Sequence, residues 1–423
     1  MASEADQARR VALMLITDVL EGHRLLSEVL PRRLAPLAAA DRARAQRLAT
    51  VTLRVLDRAD RMLGPHLKKR PPARVMALLR LGVAEICEEG AAAHGVVNAA
   101  VEIARGDRKT AGLAGLVNAV LRKVADDSAK WPTLPVPRLP KWLRKPLIDD
   151  YGKAVVEAIE AVQSGSPPLD LTPRGDGQAL VERVGGTLLP TGSVRLAGAG
   201  QVSALPGFDT GDWWVQDAAA ALPARVLAAR PGEQVLDLCA APGGKTMQLA
   251  AAGAEVTAVD ISPTRMARVA ENLARTGLAA ELVTVDALAY DGGPFDAILL
   301  DAPCTATGTI RRHPDLPQAK DGSDFPGLFE LQEQLIDRAL SMLKPGGRLV
   351  YCTCSLLIDE GEEQVRDACA RHPGLIVDRA ALDRPGIEPG WITEEGGLRL
   401  RPDFWADRGG MDGFYIACLR QSG

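Results

Sequence analysis

Aromatic side chains are scarce in this chain: six Trp, six Phe and four Tyr make up 4% of 423 residues. Few flat platforms remain on which unpaired bases could stack, so any nucleic-acid partner is expected to be held through phosphates and shape. Cysteine is also sparse. Seven residues, at 87, 239, 304, 352, 354, 369 and 418, are odd in number and irregularly spaced, which argues against a disulfide framework and for a reducing cytoplasm. There is no C-x-x-C pair and the five histidines are scattered, so no metal is expected. No apolar run reaches membrane-spanning length, and "MASEADQARRVALMLITDVLEGHR" at the start is not expected to act as a secretory leader, because Asp18 and Glu21 interrupt its apolar run.

What is present is a globular composition, 47% hydrophobic and 25% charged, enough for two or three ordinary cores. The net charge of −4 hides an asymmetry. Residues 1–125 carry 21 Lys/Arg against 13 Asp/Glu, a net of +8, and the remainder 29 against 41, a net of −12. A basic N-terminal region is commonly a solvated helix face, but it permits phosphate contacts.

Three patterns follow one another along the chain. Residues 1–125 are rich in Ala, Leu and Arg with apolar residues recurring at threes and fours, which predicts five to seven helices, with "KKRPPARV" a break between two of them. The segment 126–142, with four prolines, reads as an interdomain connector. Residues 143–205 read as a small α+β subdomain with a helix over 150–163 and strand-like "LDLTP" and "SVRLAG". From 206 to 423, apolar strands alternate with helices, the signature of a doubly wound parallel sheet. The strand candidates are "QVLDLCA", "EVTAVD", "AELVTVD", "FDAILLD" and "RLVYCTCS"; Ser262 and Pro263 suit the start of an intervening helix. Asp237, Asp260, Asp286 and Asp301 fall at or near the C-terminal strand ends, the edge at which such sheets bind ligands.

The first turn, "DLCAAPGGKT", places Gly243 and Gly244 between a strand and a helix start, where backbone can approach a ligand. Asp260 follows at the end of the next strand, suited to ribose hydroxyls. Both G-x-G-x-x-G and G-x-x-x-x-G-K-[ST] are missing, which favours an adenosyl ligand without a pyrophosphate, with S-adenosylmethionine the first choice, and argues against a nucleotide-dependent oxidoreductase.

"DLCAAPGGKT", "LLDAPCTATGTIRRHPD" and "YCTCSLLIDEGEEQV" together closely resemble the RNA cytosine-5 methyltransferases of the NOL1/NOP2/Sun family. "HGVVNAAVEIAR" and "LAGLVNAVLRKV" resemble the antitermination factor NusB, and the fusion resembles a bacterial group that modifies 16S rRNA. The resemblance implies an all-α NusB-like domain over 1–125 and a Rossmann-like class I methyltransferase domain over 206–423, acting as a monomer on RNA. It implies that Cys239, Ala240, Ala241, Pro242, Gly243, Gly244 and Lys245 form the cofactor loop, that Asp260 holds the ribose, that Asp286 lies by the adenine, and that Asp301 lies beside the methyl donor and target base. It further implies that Cys354 is the nucleophile and that Cys304 assists release. One departure is "LPQAKDGSDFPGL" after "RRHPD", where the family often has a Lys-Trp pair.

The chemistry has its own logic. Carbon 5 of cytosine is a poor nucleophile, and a thiolate added at carbon 6 makes it enamine-like. A second group must then help elimination. If "FDAILLD" and "RLVYCTCS" are neighbouring strands, about 4.8 Å apart, their terminal thiols can face one base. Buried thiols are more often inert, which is the reading for Cys87, Cys369 and Cys418, and mostly for Cys352. Arg311 and Arg312 are assigned to RNA contact, against the common alternative of solvated loop arginines. Competing functions are a tRNA cytosine-5 methyltransferase and a non-catalytic RNA-binding ribosome assembly factor; both thiols and an intact glycine turn count against the latter.

Overall fold

Seven α-helices between residues 4 and 126 open the chain: Glu4–Leu20, Leu26–Leu34, Ala39–Arg54, Leu56–Leu63, Ala73–Val83, Ala93–Arg105 and Ala114–Asp126. The computed structural model describes residues 4–198 and 200–421. The chain divides into two units, residues 1–165 with 310–322, and residues 166–309 with 323–423.

In the first unit the apolar threes and fours converge on a core that fully buries Leu15, Ile16, Leu48, Leu63, Leu78, Leu79 and Leu121. Pro72 caps the helix Ala73–Val83, so "KKRPPARV" breaks the chain as expected. That helix lies so close to Ala114–Asp126 that a Cβ on Gly82 would meet the Leu121 methyls at 2.8 Å.

The proline-rich segment is fastened to this unit instead of running free. Trp131 is buried and donates Nε1–H to Glu88 at 2.9 Å, and the Leu139 N–H reaches Glu160 at 2.8 Å. Two helices follow, Lys141–Tyr151 and Lys153–Gln163, and the boundary falls after them at Gly165. The expected subdomain boundary at 142/143 therefore differs from the observed one: proline marks irregular backbone, but Trp131 and Leu139 of this segment are buried against the first unit. "RRHPD" and the start of the unusual segment after it, up to Gly322, also belong here, the Asp315 carboxylate that closes the motif accepting the Leu26 N–H at 2.8 Å.

The second unit contains two sheets. β1 (Leu169–Pro173), β2 (Thr187–Leu188), β3 (Val194–Leu196) and β4 (Trp213–Val215) form an antiparallel sheet in the order β2-β3-β1-β4. The larger sheet comprises β5 (Gln234–Leu238), β6 (Glu255–Asp260), β7 (Glu281–Thr284), β8 (Phe295–Asp301), β9 (Leu343–Thr353), β10 (Leu375–Val377), β11 (Leu398–Leu400) and β12 (Phe414–Gln421). Its order is β10-β12-β9-β8-β5-β6-β7, with β11 on β12. The five strands β9, β8, β5, β6 and β7 are parallel, β7 forming the edge; β12 runs antiparallel to β9.

Continuous apolar runs mark these strands because helices cover both faces. Val235, Leu236, Ile298, Leu299, Leu349 and Val350 are wholly buried. The helix Pro263–Thr276 begins as expected, with the Ser262 side chain accepting the Arg265 N–H. Among the described residues no helix is long and apolar enough to cross a membrane.

Candidate active site

The glycine turn is built by two residues in left-handed backbone. Cys239 has φ 63° and Gly243 φ 96°; Gly243 bears this without strain, and Cys239 holds it as a non-glycine residue within a packed turn. The Ala240 N–H donates to Val259 O and the Ala241 N–H to Asp260 Oδ2 at 3.2 Å. Asp260 Oδ1 accepts the Ser262 N–H at 2.9 Å, and Arg265 donates to Ala241 O at 2.6 Å. Asp260, 3% exposed, thus welds the loop 239–245 to the end of β6. Pro242 is exposed, and the helix Gly244–Ala251 directs its free N–H groups towards this edge. Ile261, 64% exposed, puts apolar surface beside Asp260. The sequence reading passed over it, although a large apolar residue directly after a strand-end acid is the available signal. Asp286 is exposed and accepts the Leu288 N–H.

Asp301 ends β8 opposite Cys352 of β9 in the parallel register. Its Oδ2 receives Lys245 Nζ at 2.7 Å and its Oδ1 lies 3.5 Å from Cys352 Sγ. Burial alone would lower the Lys245 ammonium, but the Asp301 charge, Cys352 and the direct hydrogen bond outweigh it and raise it. Lys245 is consequently a fixed cation. Cys352 is fully buried, and burial followed by the Asp301 charge pushes its thiol up.

Beyond Asp301 the chain crosses to the end of β9. The Ala302 N–H donates to Cys352 O and the Gly308 N–H to Cys354 O, each at 2.9 Å. These bonds bring Cys304 Sγ to 3.5 Å from Cys354 Sγ, both thiols half-buried. The hydrogen bond with Cys354, burial, and the charges of Cys354 and Glu360 hold the Cys304 thiol well above its ordinary range, opposed by the Ala306 N–H. Gly308 and Gly413 pack backbone on backbone: a Cβ on Gly308 would lie 2.0 Å from Gly413 O. Thus "TATGT" and "MDGF" meet.

Two assigned residues fall in the other unit. Arg311 and Arg312 lie in the segment 310–322 that belongs to the first unit. Arg311 is 1% exposed and its carbonyl accepts from Arg54 at 3.2 Å, so its assignment as a surface contact for RNA is corrected; Arg312 is exposed. Two arginines in a loop read alike in sequence, and only packing distinguished them.

The parallel sheet with antiparallel β12, a glycine turn after the central strand and strand-end acids defines a methyltransferase of the Rossmann-like kind. The family model 16S rRNA methyltransferase RsmB/F matches residues 224–420 and the NusB family model residues 6–126. Ribosomal RNA small subunit methyltransferase B of Pseudomonas putida is 38% identical, over 97% of this chain and 98% of that one. Its counterpart from Vibrio cholerae is 36% identical, over 97% and 96%. A crystal structure of a methyltransferase homolog protein from Pyrococcus horikoshii superposes with TM-score 0.54 at 28% identity, over 66% of this chain and 93% of that one. The chain belongs to the RsmB/F methyltransferase family, with an N-terminal NusB domain.

Proposed function

We propose that the protein transfers a methyl group from S-adenosylmethionine to carbon 5 of a cytosine in 16S rRNA, in the cytoplasm, through a covalent cysteine–cytosine adduct. The observation that carries this reading is the pair Cys304 Sγ and Cys354 Sγ at 3.5 Å beside the Lys245–Asp301 ion pair. The names of the relatives point to the small-subunit RNA.

The turn suits the cofactor: left-handed Gly243, the helix N-terminus at Gly244, buried Asp260 and exposed Ile261 offer backbone N–H groups, a ribose partner and apolar cover for an adenine. S-adenosylmethionine supplies, when bound, an electrophilic methyl group. The chain's own residues do the rest. Cys354 as thiolate adds to carbon 6 and forms the S–C6 bond, so that carbon 5 becomes nucleophilic. Asp301, held by Lys245, accepts a hydrogen bond from the cytosine amino group. After carbon 5 is methylated, its proton leaves to water and the C6–S pair returns to Cys354. Cys304, kept a neutral thiol, donates its S–H to the departing sulfur and eases that step. The base must be unstacked or unpaired to enter.

Purified protein assayed on 16S rRNA and on tRNA with radiolabelled methyl donor tests the reading, followed by bisulfite sequencing of the methylated RNA. Protection of one 16S cytosine is expected. Methylation confined to tRNA, or product without bisulfite protection, would overturn it.

A further inference from the structure

One buried glutamate touches the flanks of both thiols, through its carboxylate on one side and its main chain on the other. Glu360 follows the "TCS" motif in "LLIDEGEE" and is 0% exposed. Its Oε1 accepts the Thr305 N–H at 2.9 Å and Gln332 Nε2 at 3.0 Å, and its Oε2 accepts the Thr305 hydroxyl. Gln332 uses the same amide group to hold Pro303 O at 2.9 Å. The residues on either side of Cys304 are therefore both tied to this carboxylate, one directly and one through a single amide. The main chain of Glu360 makes the second attachment: its carbonyl accepts Tyr351 Oη at 2.8 Å and Thr353 Oγ1 at 2.9 Å, and Thr353 immediately precedes Cys354. Thr305 Oγ1 also lies 3.2 Å from Ser355 Oγ, on the far side of Cys354.

We infer that Glu360 is the positioning residue that sets Cys304 against Cys354, and so governs release of the methylated base from the enzyme. This rests on the covalent cytosine reading above. A carboxylate buried beyond the reach of water needs several donors to be tolerated, and here the donors are the residues that place the reactive sulfurs. Glu360 touches neither sulfur in any hydrogen bond. Its effect runs through Thr305 and Gln332.

The inference separates geometry from charge. In E360Q the amide oxygen can keep the Thr305 N–H and Gln332, and the amide NH2 can donate to the Thr305 hydroxyl, which rotates to accept. In E360A the loop loses three acceptor contacts at once, and a displacement of the thiol by about 1 Å suffices for a rate loss on the order of 100-fold.

Full-length E360A, E360Q and C304A proteins are incubated with 16S rRNA and methyl donor, and followed by turnover and by a denaturant-resistant protein–RNA band. E360A is expected to lower kcat by at least about tenfold, leave the KM for S-adenosylmethionine within about twofold, and accumulate the band as C304A does. E360Q is expected to restore most turnover and lose the band. Should E360A fail to fold, T305V and T305S give the same reading, the band appearing with T305V and not with T305S. If C304A forms the band and neither E360A nor T305V does, the positioning role is wrong while the covalent reading stands. If E360Q is as impaired as E360A, charge rather than placement is responsible and the inference also fails. If C304A itself gives no band, it is the covalent reading that fails.

Discussion

Lys245 Nζ and Asp301 Oδ2 stand 2.7 Å apart, joining the helix after the glycine turn to the end of β8. The two sites of the proposed reaction, donor loop and thiol loop, share this one ion pair. Lys245→Met would strip Asp301 of its cation. We expect methyl transfer to fall at least about 100-fold, and stability by roughly 2–3 kcal/mol, below the 3–5 of a fully buried pair because the Asp301 side chain is 29% exposed. Turnover with a thermal melt checks both; unchanged turnover in a folded variant would remove the pair from the mechanism.

Cys354→Ala deletes the proposed nucleophile but touches no part of the loop 239–245. Methyl transfer should vanish, while calorimetric titration of S-adenosylmethionine shows affinity within a few-fold of the parent. Residual full activity would transfer the nucleophile's role elsewhere.

Asp237, wholly buried at the end of β5, gives a pH-dependent stability. Burial is the main cause that pushes its carboxyl up to about 7, with the Thr246 hydroxyl and Lys245 opposing and Asp301 and Asp260 adding. The unfolded carboxyl ionises near its ordinary value of 3.8, the folded one near 7. The folded state therefore holds the proton more tightly, and stability from this group is lost as pH rises between those values. Asp237→Asn, which can still accept from Thr246, should remove a loss of roughly 2–3 kcal/mol between pH 5 and pH 8. Urea unfolding of both proteins at the two pH values measures it; parallel pH dependence would show that the carboxylate is ionised at little cost.

Arg311 and Arg312 should behave as opposites. Arg312→Ala is expected to weaken binding of a 16S fragment and reduce the slope of log K against log salt by roughly 1. Arg311→Ala should leave that slope alone and lower the melting temperature, since its side chain is buried. A changed slope with Arg311→Ala would contradict the packing.

Much of this was legible in the chain. Strands β5 to β9 lie where the apolar runs predict, because a sheet covered on both faces needs uninterrupted apolar residues, and few other segments supply them. The N-cap at Ser262 and the turn at Gly243 are local devices, fixed by residues within a few positions of each other. The thiol pair was legible conditionally, on the assumption that β8 and β9 are neighbours, and their register makes them so.

Other features had no local signal. The proline-rich segment looks like a linker to any reading that weighs proline, whereas contacts with distant residues, among them burial of Trp131 and the bond from Leu139 to Glu160, attach it to the first unit. Arg311 and Arg312 differ in nothing but their surroundings. Glu360 sits among acidic neighbours that are indistinguishable in sequence, Asp359 exposed and Glu360 wholly buried.

The sequence alone determined which segments become helix, strand and glycine turn, and which residues have sulfur or carboxylate chemistry to offer, because those properties reside in side-chain shape and spacing along the chain. Which of those groups meet was decided by the tertiary structure. A 3.5 Å separation between Cys304 and Cys354, and a glutamate shared by the flanks of both through its carboxylate and its main chain, come from hydrogen bonds among residues up to 55 positions apart, and bonds of that range exist only once the sheet has closed around them.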